Sequence, residues 1–324
     1  MKNANQINAL QNIIIETITP LINSDFALLD VSDYNNIGDN LIWKGQLDFF
    51  NKLDFQCFYQ HAIWYKVKHD FLKDINTILF QGGGNFGDIY KKNQEFRLKI
   101  IENYKDKRII VLPQSVYYKN IQNLKSDAEI MNQHPDLHIM VRDKDSFDLL
   151  NQYLECKVYL VPDMAFCMDR SYIDKFRIKN LTNSKKGLYM KRKDSELASN
   201  EIQFSEFDVL DWPTFNYGRI KRSLVYRRER YNRILSNKLI DLGLGNIVDS
   251  RFGLKPYNQM NRYIKKGVRF MDKYQMVYTT RLHGLILAIL LEKEVYIIDN
   301  KLHKLTRFYD QWLTDFEDVH IYKP

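Results

Sequence analysis

Cysteine is scarce in this chain. Cys57, Cys156 and Cys167 are the only three in 324 residues, and no two of them form a C-x-x-C pair. That spacing argues against a disulfide framework or a zinc site and fits a reducing compartment. No grouping of His and carboxylates has metal-ligand spacing such as H-E-x-x-H. No apolar run approaches the roughly twenty residues that cross a bilayer. The longest, 285–291, has the length of a core helix. The first residues do not read as a secretory leader: Lys2 is followed by polar Asn3, Asn5, Gln6 and Asn8, and the run 13–15 is cut by Glu16 and Pro20. There is no low-complexity tract and no repeat of solenoid period. These absences predict a soluble, cytoplasmic protein with no metal and no resident cofactor.

What is present suits two domains. Hydrophobic residues make up 45% of the chain and aromatics 14%, on a length too great for one ordinary core. Short apolar runs alternate with amphipathic stretches, the pattern of an α/β protein. Strands are expected at 26–30, 55–59, 77–80, 108–112, 138–141 and 158–161, with Pro113 and Pro162 ending two of them. Helices are expected over 41–53 and through Phe96 and Ile100. This repetition predicts a parallel sheet covered on both faces. The polar stretch 169–186 marks a boundary, separating a domain over 1–178 from one over 179–324. In the second half, strands are expected at 187–190, 246–249, 274–278 and 295–298. Helical periodicity runs from Leu224 through Leu235, Leu239 and Leu242. A C-terminal helix carrying Phe308, Trp312 and Phe316 is expected to pack back across the domains.

The densest chemistry is Thr280-Arg281-Leu282-His283-Gly284, set where a polar segment becomes the apolar helix at 285–291. Free N–H groups and the dipole at a helix start favour an anion. Arg forks onto phosphate or carboxylate, and His moves protons near neutral pH. The competing reading is a structural ion pair at Arg281 and a helix cap at His283. Lys191-Arg192-Lys193-Asp194 follows the strand at 187–190 and adds cations to the same half.

In the first half, Gly82-Gly83-Gly84-Asn85-Phe86-Gly87 follows a strand. It is neither a Walker A loop nor a clean G-x-G-x-x-G, and it reads as a ligand-facing loop or a tight turn. Asp88 beyond it is a hydrogen-bond acceptor for a sugar hydroxyl or a helix cap. Asn36-Ile37-Gly38-Asp39-Asn40 is a similar loop, with Asp39 as ligand contact or cap. Gln114, Ser115 and Asp163, each just past a strand-ending proline, suit hydroxyl binding or plain turns. Arg142-Asp143 reads as a locally paired strand end.

The net charge is +8, and the segment 219–233 is densely basic. A nucleic acid, an anionic membrane face, an acidic substrate or a solvated helix face would each account for it. No groove-reading motif or aromatic interleaving supports nucleic acid, so none is expected as a partner.

Taken in order, Asn36-Ile-Gly-Asp39, the segment 82–88, Leu112-Pro-Gln-Ser115, Arg142-Asp143, Val161-Pro-Asp163 and Arg281-Leu-His-Gly284 resemble the polysaccharide pyruvyl transferase family. With the late pattern Asp299-Asn300, Lys304, Phe308-Tyr309 and Trp312, the chain looks like its bacterial capsule and exopolysaccharide branch. The resemblance implies two Rossmann-like domains with a central cleft, like the GT-B glycosyltransferases. It implies transfer of pyruvate from phosphoenolpyruvate onto two hydroxyls of one sugar, in a surface polysaccharide or its lipid-linked precursor, giving a cyclic ketal. Arg281, Leu282, His283 and Arg192 would bind the donor, with His283 as general acid or phosphate partner. The acceptor would face Gly83, Gly84, Asn85, Gln114 and Asp163, with Asp39 or Asp88 taking a hydroxyl proton. Peripheral contact with an anionic membrane would bring enzyme and acceptor together. Two departures stand out: Thr280 where Asp is common, and Glu292-Lys293-Glu294 in place of a Gly-x-Pro turn. A glycosyltransferase of the same architecture, using a nucleotide sugar, is the alternative.

Overall fold

The computed structural model describes residues 3–179, 185–192, 206–215, 219–256, 258–299 and 304–322. Seven strands form one sheet: β1 (Phe26–Leu29), β2 (Cys57–His61), β3 (Thr77–Phe80), β4 (Gly83–Gly87), β5 (Arg108–Tyr117), β6 (Leu137–Val141) and β7 (Lys157–Leu160). Their order is β2-β1-β3-β5-β6-β7, with β4 on the far end of β5. Five more form a second: β8 (Lys185–Met190), β9 (Asp208–Leu210), β10 (Tyr274–Thr279), β11 (Glu294–Ile297) and β12 (Val319–Ile321), in the order β12-β11-β10-β8-β9. Every pairing between these strands is parallel. The chain is therefore α/β with two parallel sheets.

Parallel strands buried on both faces read as unbroken apolar runs, and β1 and β3 are buried at every residue. Alternation along β5 sends Ile109 and Val111 to one face and Ile110 and Leu112 to the other. The second of these faces shares one apolar core with Leu188 and Met190 of β8, Val277 of β10 and the helix Leu282–Leu290. Between the sheets lies the helix Ile37–Phe50, buried nearly all round. The first helix, Ala4–Ile18, buries the stripe Ile7, Leu10, Ile14 and Ile18, and Gln11 donates to the Phe166 carbonyl at 2.7 Å. The helix Lys304–Trp312 stacks Phe308 on Phe166, and Trp312 Nε1 donates to the Arg142 carbonyl at 2.8 Å.

Several sequence expectations need correction. The helix expected over 41–53 begins at Ile37, because Asn36 Oδ1 accepts the Gly38 N–H at 3.0 Å and caps it. Pro113 does not end its strand. β5 pairs with β3 as far as Val111 and with β4 from Gln114, so the proline stands where the ladder changes partner. Residues 83–87 are a short strand rather than a loop. Residues 245–247 form a 3-10 turn in place of the strand expected at 246–249.

Gly45 sets how closely the helix Ile37–Phe50 approaches the turn Met164–Cys167: a Cβ there would meet the Met164 carbonyl oxygen at 2.0 Å. A backbone atom cannot swing aside as a side-chain tip can. Gly45→Ala is expected to lower stability by about 3 kcal/mol, read as a reduced urea midpoint at unchanged slope. A shift within measurement error would show that the packing yields.

Candidate active site

In an open parallel sheet, loops diverge where consecutive strands lie on opposite sides of a common neighbour, and ligands bind at that crevice. In the first sheet the crevice falls between β1 and β3, because β2 lies on the other side of β1. In the second it falls between β8 and β10, with β9 beyond β8. The two crevices line one cleft of about 360 Å³. The segments that follow β1 and β3, including the start of the helix Ile37–Phe50 and of β4, supply Asp30, Tyr34, Gly38, Asp39 and residues 81–85. Those after β8, β9 and β10 supply Arg192, Trp212, Arg281, Leu282 and His283.

Arg281 stands at the N-cap of the helix Leu282–Leu290. Its guanidinium forks onto Asp211, Nε to Oδ1 at 2.5 Å and Nη2 to Oδ2 at 2.7 Å, and lies 5.2 Å from the Phe215 ring centre. Asp211, buried just past β9, fixes the plane of the guanidinium at the cleft wall. Arg281 thus makes a buried ion pair and also lines the cleft. Thr280 ties the two loops together. Its hydroxyl accepts the Arg192 N–H at 3.0 Å and donates to the Met190 carbonyl at 3.2 Å. The Arg192 side chain lines the cleft, while Lys193 and Asp194 lie outside the described residues.

His283 sits in the first helical turn, its Nε2 3.3 Å from Asp163 Oδ2 and 3.4 Å from Arg142 Nη1. A methyl group at Gly38 would lie 2.8 Å from His283 Nδ1, so glycine lets the start of the first-sheet helix rest against the imidazole. Asp163 is fully buried and does not line the cleft. One oxygen caps the turn Met164–Cys167 through the Ala165 N–H at 2.8 Å, and the other takes Arg142 Nη1. Burial pushes this carboxyl up, but the charges of His283 and Arg142 with their hydrogen bonds outweigh it and hold the group well below the usual range. Arg142 Nε also donates to Ser115 at 2.9 Å. The residues expected to bind hydroxyls, Asp163 and Ser115, instead fix Arg142, and Arg142 itself reaches the cleft.

The opposite wall is acidic. Asp30, just past β1, has φ 63°, a left-handed backbone uncommon outside glycine. Its carboxylate accepts from Asn85 Nδ2 at 2.9 Å and Asn93 Nδ2 at 2.8 Å and lies 4.0 Å from Arg97. Burial pushes its pKa up to about 6, against the lowering charge of Arg97 and the two amides. Arg97, fully buried, rests 4.7 Å over the Phe86 ring and donates to Asn85 Oδ1 at 2.8 Å. Asp39 is in the first turn of its helix and accepts from Tyr34 Oη at 2.7 Å and Asn36 Nδ2 at 2.6 Å. Gln114 is buried behind the glycine strand, donating to the Gln81 carbonyl at 2.8 Å and accepting the Asn85 N–H at 3.3 Å. It positions Gly83, Gly84 and Asn85, which do line the cleft.

The structure does not bring Asp88 to the cleft. Its carboxylate accepts the N–H groups of Lys119 and Asn120 at 2.7 and 2.9 Å and holds the loop after β5. Asp30 and Arg142 of the cleft, and Asp211 behind Arg281, are the groups that sequence reasoning missed or read as local pairing. The one available signal was position: each stands at or just past the end of a parallel strand.

The sequence model of the family described as polysaccharide pyruvyl transferase matches residues 36–301. EpsO of Bacillus subtilis (strain 168), provisionally named a pyruvyl transferase, is 31% identical over 299 residues, covering 90% of this chain and 86% of that protein. Pyruvyl transferase 1 of Schizosaccharomyces pombe is 27% identical over 301 residues, covering 89% of this chain and 69% of its own length. A crystal structure of a functionally uncharacterised protein from Klebsiella pneumoniae shares the fold, with a TM-score of 0.61 at 18% identity, over 97% of this chain and 99% of that one. The span of the family match and the coverage of these relatives lead to one conclusion: this chain belongs to the polysaccharide pyruvyl transferase family.

Proposed function

We propose that the protein transfers pyruvate from phosphoenolpyruvate to two hydroxyls of one sugar in a bacterial surface polysaccharide or its lipid-linked precursor, closing a pyruvate ketal. The observation that carries this reading is the charge of the cleft: Arg192, Arg281 and His283, with Arg142 beside the imidazole, gather near Asp30 and Asp39 in one cavity. Phosphoenolpyruvate bears a phosphate and a carboxylate, which Arg192 and Arg281 match at the helix start of Leu282–Leu290. The two sheets are read as two Rossmann-like domains, GT-B-like, divided at 178/179. No cofactor is needed, and the cytoplasm is the compartment of the donor. The nucleotide-sugar alternative has less support, because the matched relatives are named for pyruvyl transfer.

In this mechanism His283 delivers a proton to the enol methylene carbon. The first sugar hydroxyl adds to the resulting cationic carbon and gives up its proton. Loss of phosphate and attack by the second hydroxyl, again with loss of a proton, close the ketal. Asp30 takes over the base role first considered for Asp39 and Asp88. It lines the cleft, and its raised pKa suits proton transfer near neutral pH. Ionised Asp163 holds the imidazole by Nε2.

The direct test is incubation with phosphoenolpyruvate and a panel of glycosides. Phosphate release that requires a glycoside, with that glycoside gaining the mass of pyruvate less water, is expected. Consumption of a nucleotide sugar with phosphoenolpyruvate inert would overturn the reading. His283→Gln is expected to lower kcat by about 10² to 10⁴ at an unchanged circular dichroism spectrum. Arg192→Gln should chiefly raise KM for phosphoenolpyruvate. Arg281→Ala would strand buried Asp211 and cost about 3–5 kcal/mol, so Arg281→Lys is the variant to assay, and slower turnover is expected.

The acid limb of the pH profile tests Asp30 separately. Below about 6 the carboxyl carries its proton and accepts no other, and above about 6 it is ionised. kcat/KM is therefore expected to rise with pH through about 6 and then level. Asp30→Asn should be slow at every pH and lack this limb. An unchanged limb in that variant would assign the base elsewhere.

A further inference from the structure

The helix Arg219–Asp241 is turned inside out relative to an ordinary surface helix. The face against the protein is polar. Asn232 Nδ2 donates to Tyr65 Oη and the Phe252 carbonyl, both at 2.9 Å, and Asn237 Oδ1 accepts the Lys66 N–H at 2.8 Å. Ser236 is fully buried beside them. Along the face toward solvent runs an apolar stripe. Leu224, Tyr231 and Leu235, with Leu242 just past the helix end, are 61%, 73%, 51% and 65% exposed. Their spacing keeps all four on a single line of a 3.6-residue helix. Leu244 and Ile247 extend the patch beyond the helix.

Charge decides what covers this stripe. Arg227, Arg228 and Lys238 flank it and are exposed. The two acids of the helix face other partners: Glu229 lies 3.5 Å from buried Lys255, and Asp241 pairs with Lys66. An apolar stripe bordered by cations matches the interface of an anionic bilayer, where leucine and tyrosine enter the headgroup layer and arginine meets lipid phosphate. The same helix also touches a cleft wall. Arg233 lies 3.9 Å over the Trp64 ring, Asn237 Nδ2 donates to the Trp64 carbonyl at 3.1 Å, and Trp64 lines the cleft. We infer that this helix lies flat on an anionic membrane surface and presents the cleft to an acceptor carried by lipid. The acceptor part rests on the proposed function; the membrane part does not.

The test is co-sedimentation of the full chain with vesicles of phosphatidylglycerol and phosphatidylcholine in equal parts, beside vesicles of phosphatidylcholine alone. Binding to the first and not the second is expected, weakening as salt rises. The combined Leu224→Ser, Tyr231→Ser and Leu235→Ser variant should lose binding. Arg227→Gln and Arg228→Gln should each lower partitioning roughly fivefold. All are exposed positions, so the urea midpoint should hold, and turnover of a water-soluble glycoside should not change. Native protein that ignores anionic vesicles would overturn the inference. So would a native dimer that the serine variant dissociates without any vesicle binding, because the stripe would then join two copies of this chain. Vesicle binding without pyruvyl transfer would refute the proposed function and leave the surface standing.

Discussion

The cleft depends on a buried carboxylate. Asp163 stands just past β7 with no access to water, so its charge must be met by protein groups. Three meet it: the Ala165 N–H, the Arg142 guanidinium and, across the gap between the sheets, the His283 imidazole. Removing one partner from a buried pair costs far more than the pair contributes, because the remaining charge stays unsolvated. The imidazole is therefore held in place by a group that cannot relax away from it. That contact fixes the helix start of Leu282–Leu290 relative to the ends of β6 and β7.

A second buried pair does the same for Arg281. Asp211 clamps Arg281 in the plane of its carboxylate, and Thr280 links the loops after β8 and β10. Arg281 reaches the cleft already oriented, so little of its side-chain freedom would be lost on meeting an anion. The acidic wall is built from the opposite logic. Asp30 is surrounded by amides that donate to it and by one guanidinium at a longer distance, and its burial is only partly compensated. An under-compensated carboxylate takes up protons more readily than a clamped one. The cleft thus sets a firmly ionised acid behind His283 and a titrating one opposite it.

Much of this was legible in the sequence where the signal is local. Strand runs such as 77–80 are apolar without a break, and the Arg281–His283 element stands at the junction of strand and apolar helix. The rest depends on neighbours far along the chain. Asp30 and Asp211 are single carboxylates with no spacing to mark them; only the sheet order puts Asp30 in the cleft and Asp211 against Arg281. Pro113 reads as a stop because proline lacks an N–H. The chain continues through it because the ladder changes partner at that residue. Asp88 reads as a sugar ligand from its place after the glycines, but the loop at 119–120 lies nearer and takes its carboxylate. The basic segment was visible as charge. That its apolar residues face outward was not, since a helix period gives a stripe but not the side that is buried.

The two departures from the family pattern have physical accounts that leave the cleft chemistry alone. Thr280 supplies a hydroxyl that both donates to and accepts from the end of β8 and the loop after it, where a carboxylate would only accept. Glu292 takes the left-handed conformation, φ 59°, that a glycine would adopt with less strain. That backbone costs about 1–3 kcal/mol. The side chain offsets part of it through an ion pair with Arg170 at 2.8 Å, while Lys293 lies 3.3 Å from Asp272. Neither Glu292 nor Lys293 lines the cleft. The turn thus sets charge contacts against the backbone freedom a glycine would have, away from the groups that would meet donor and acceptor.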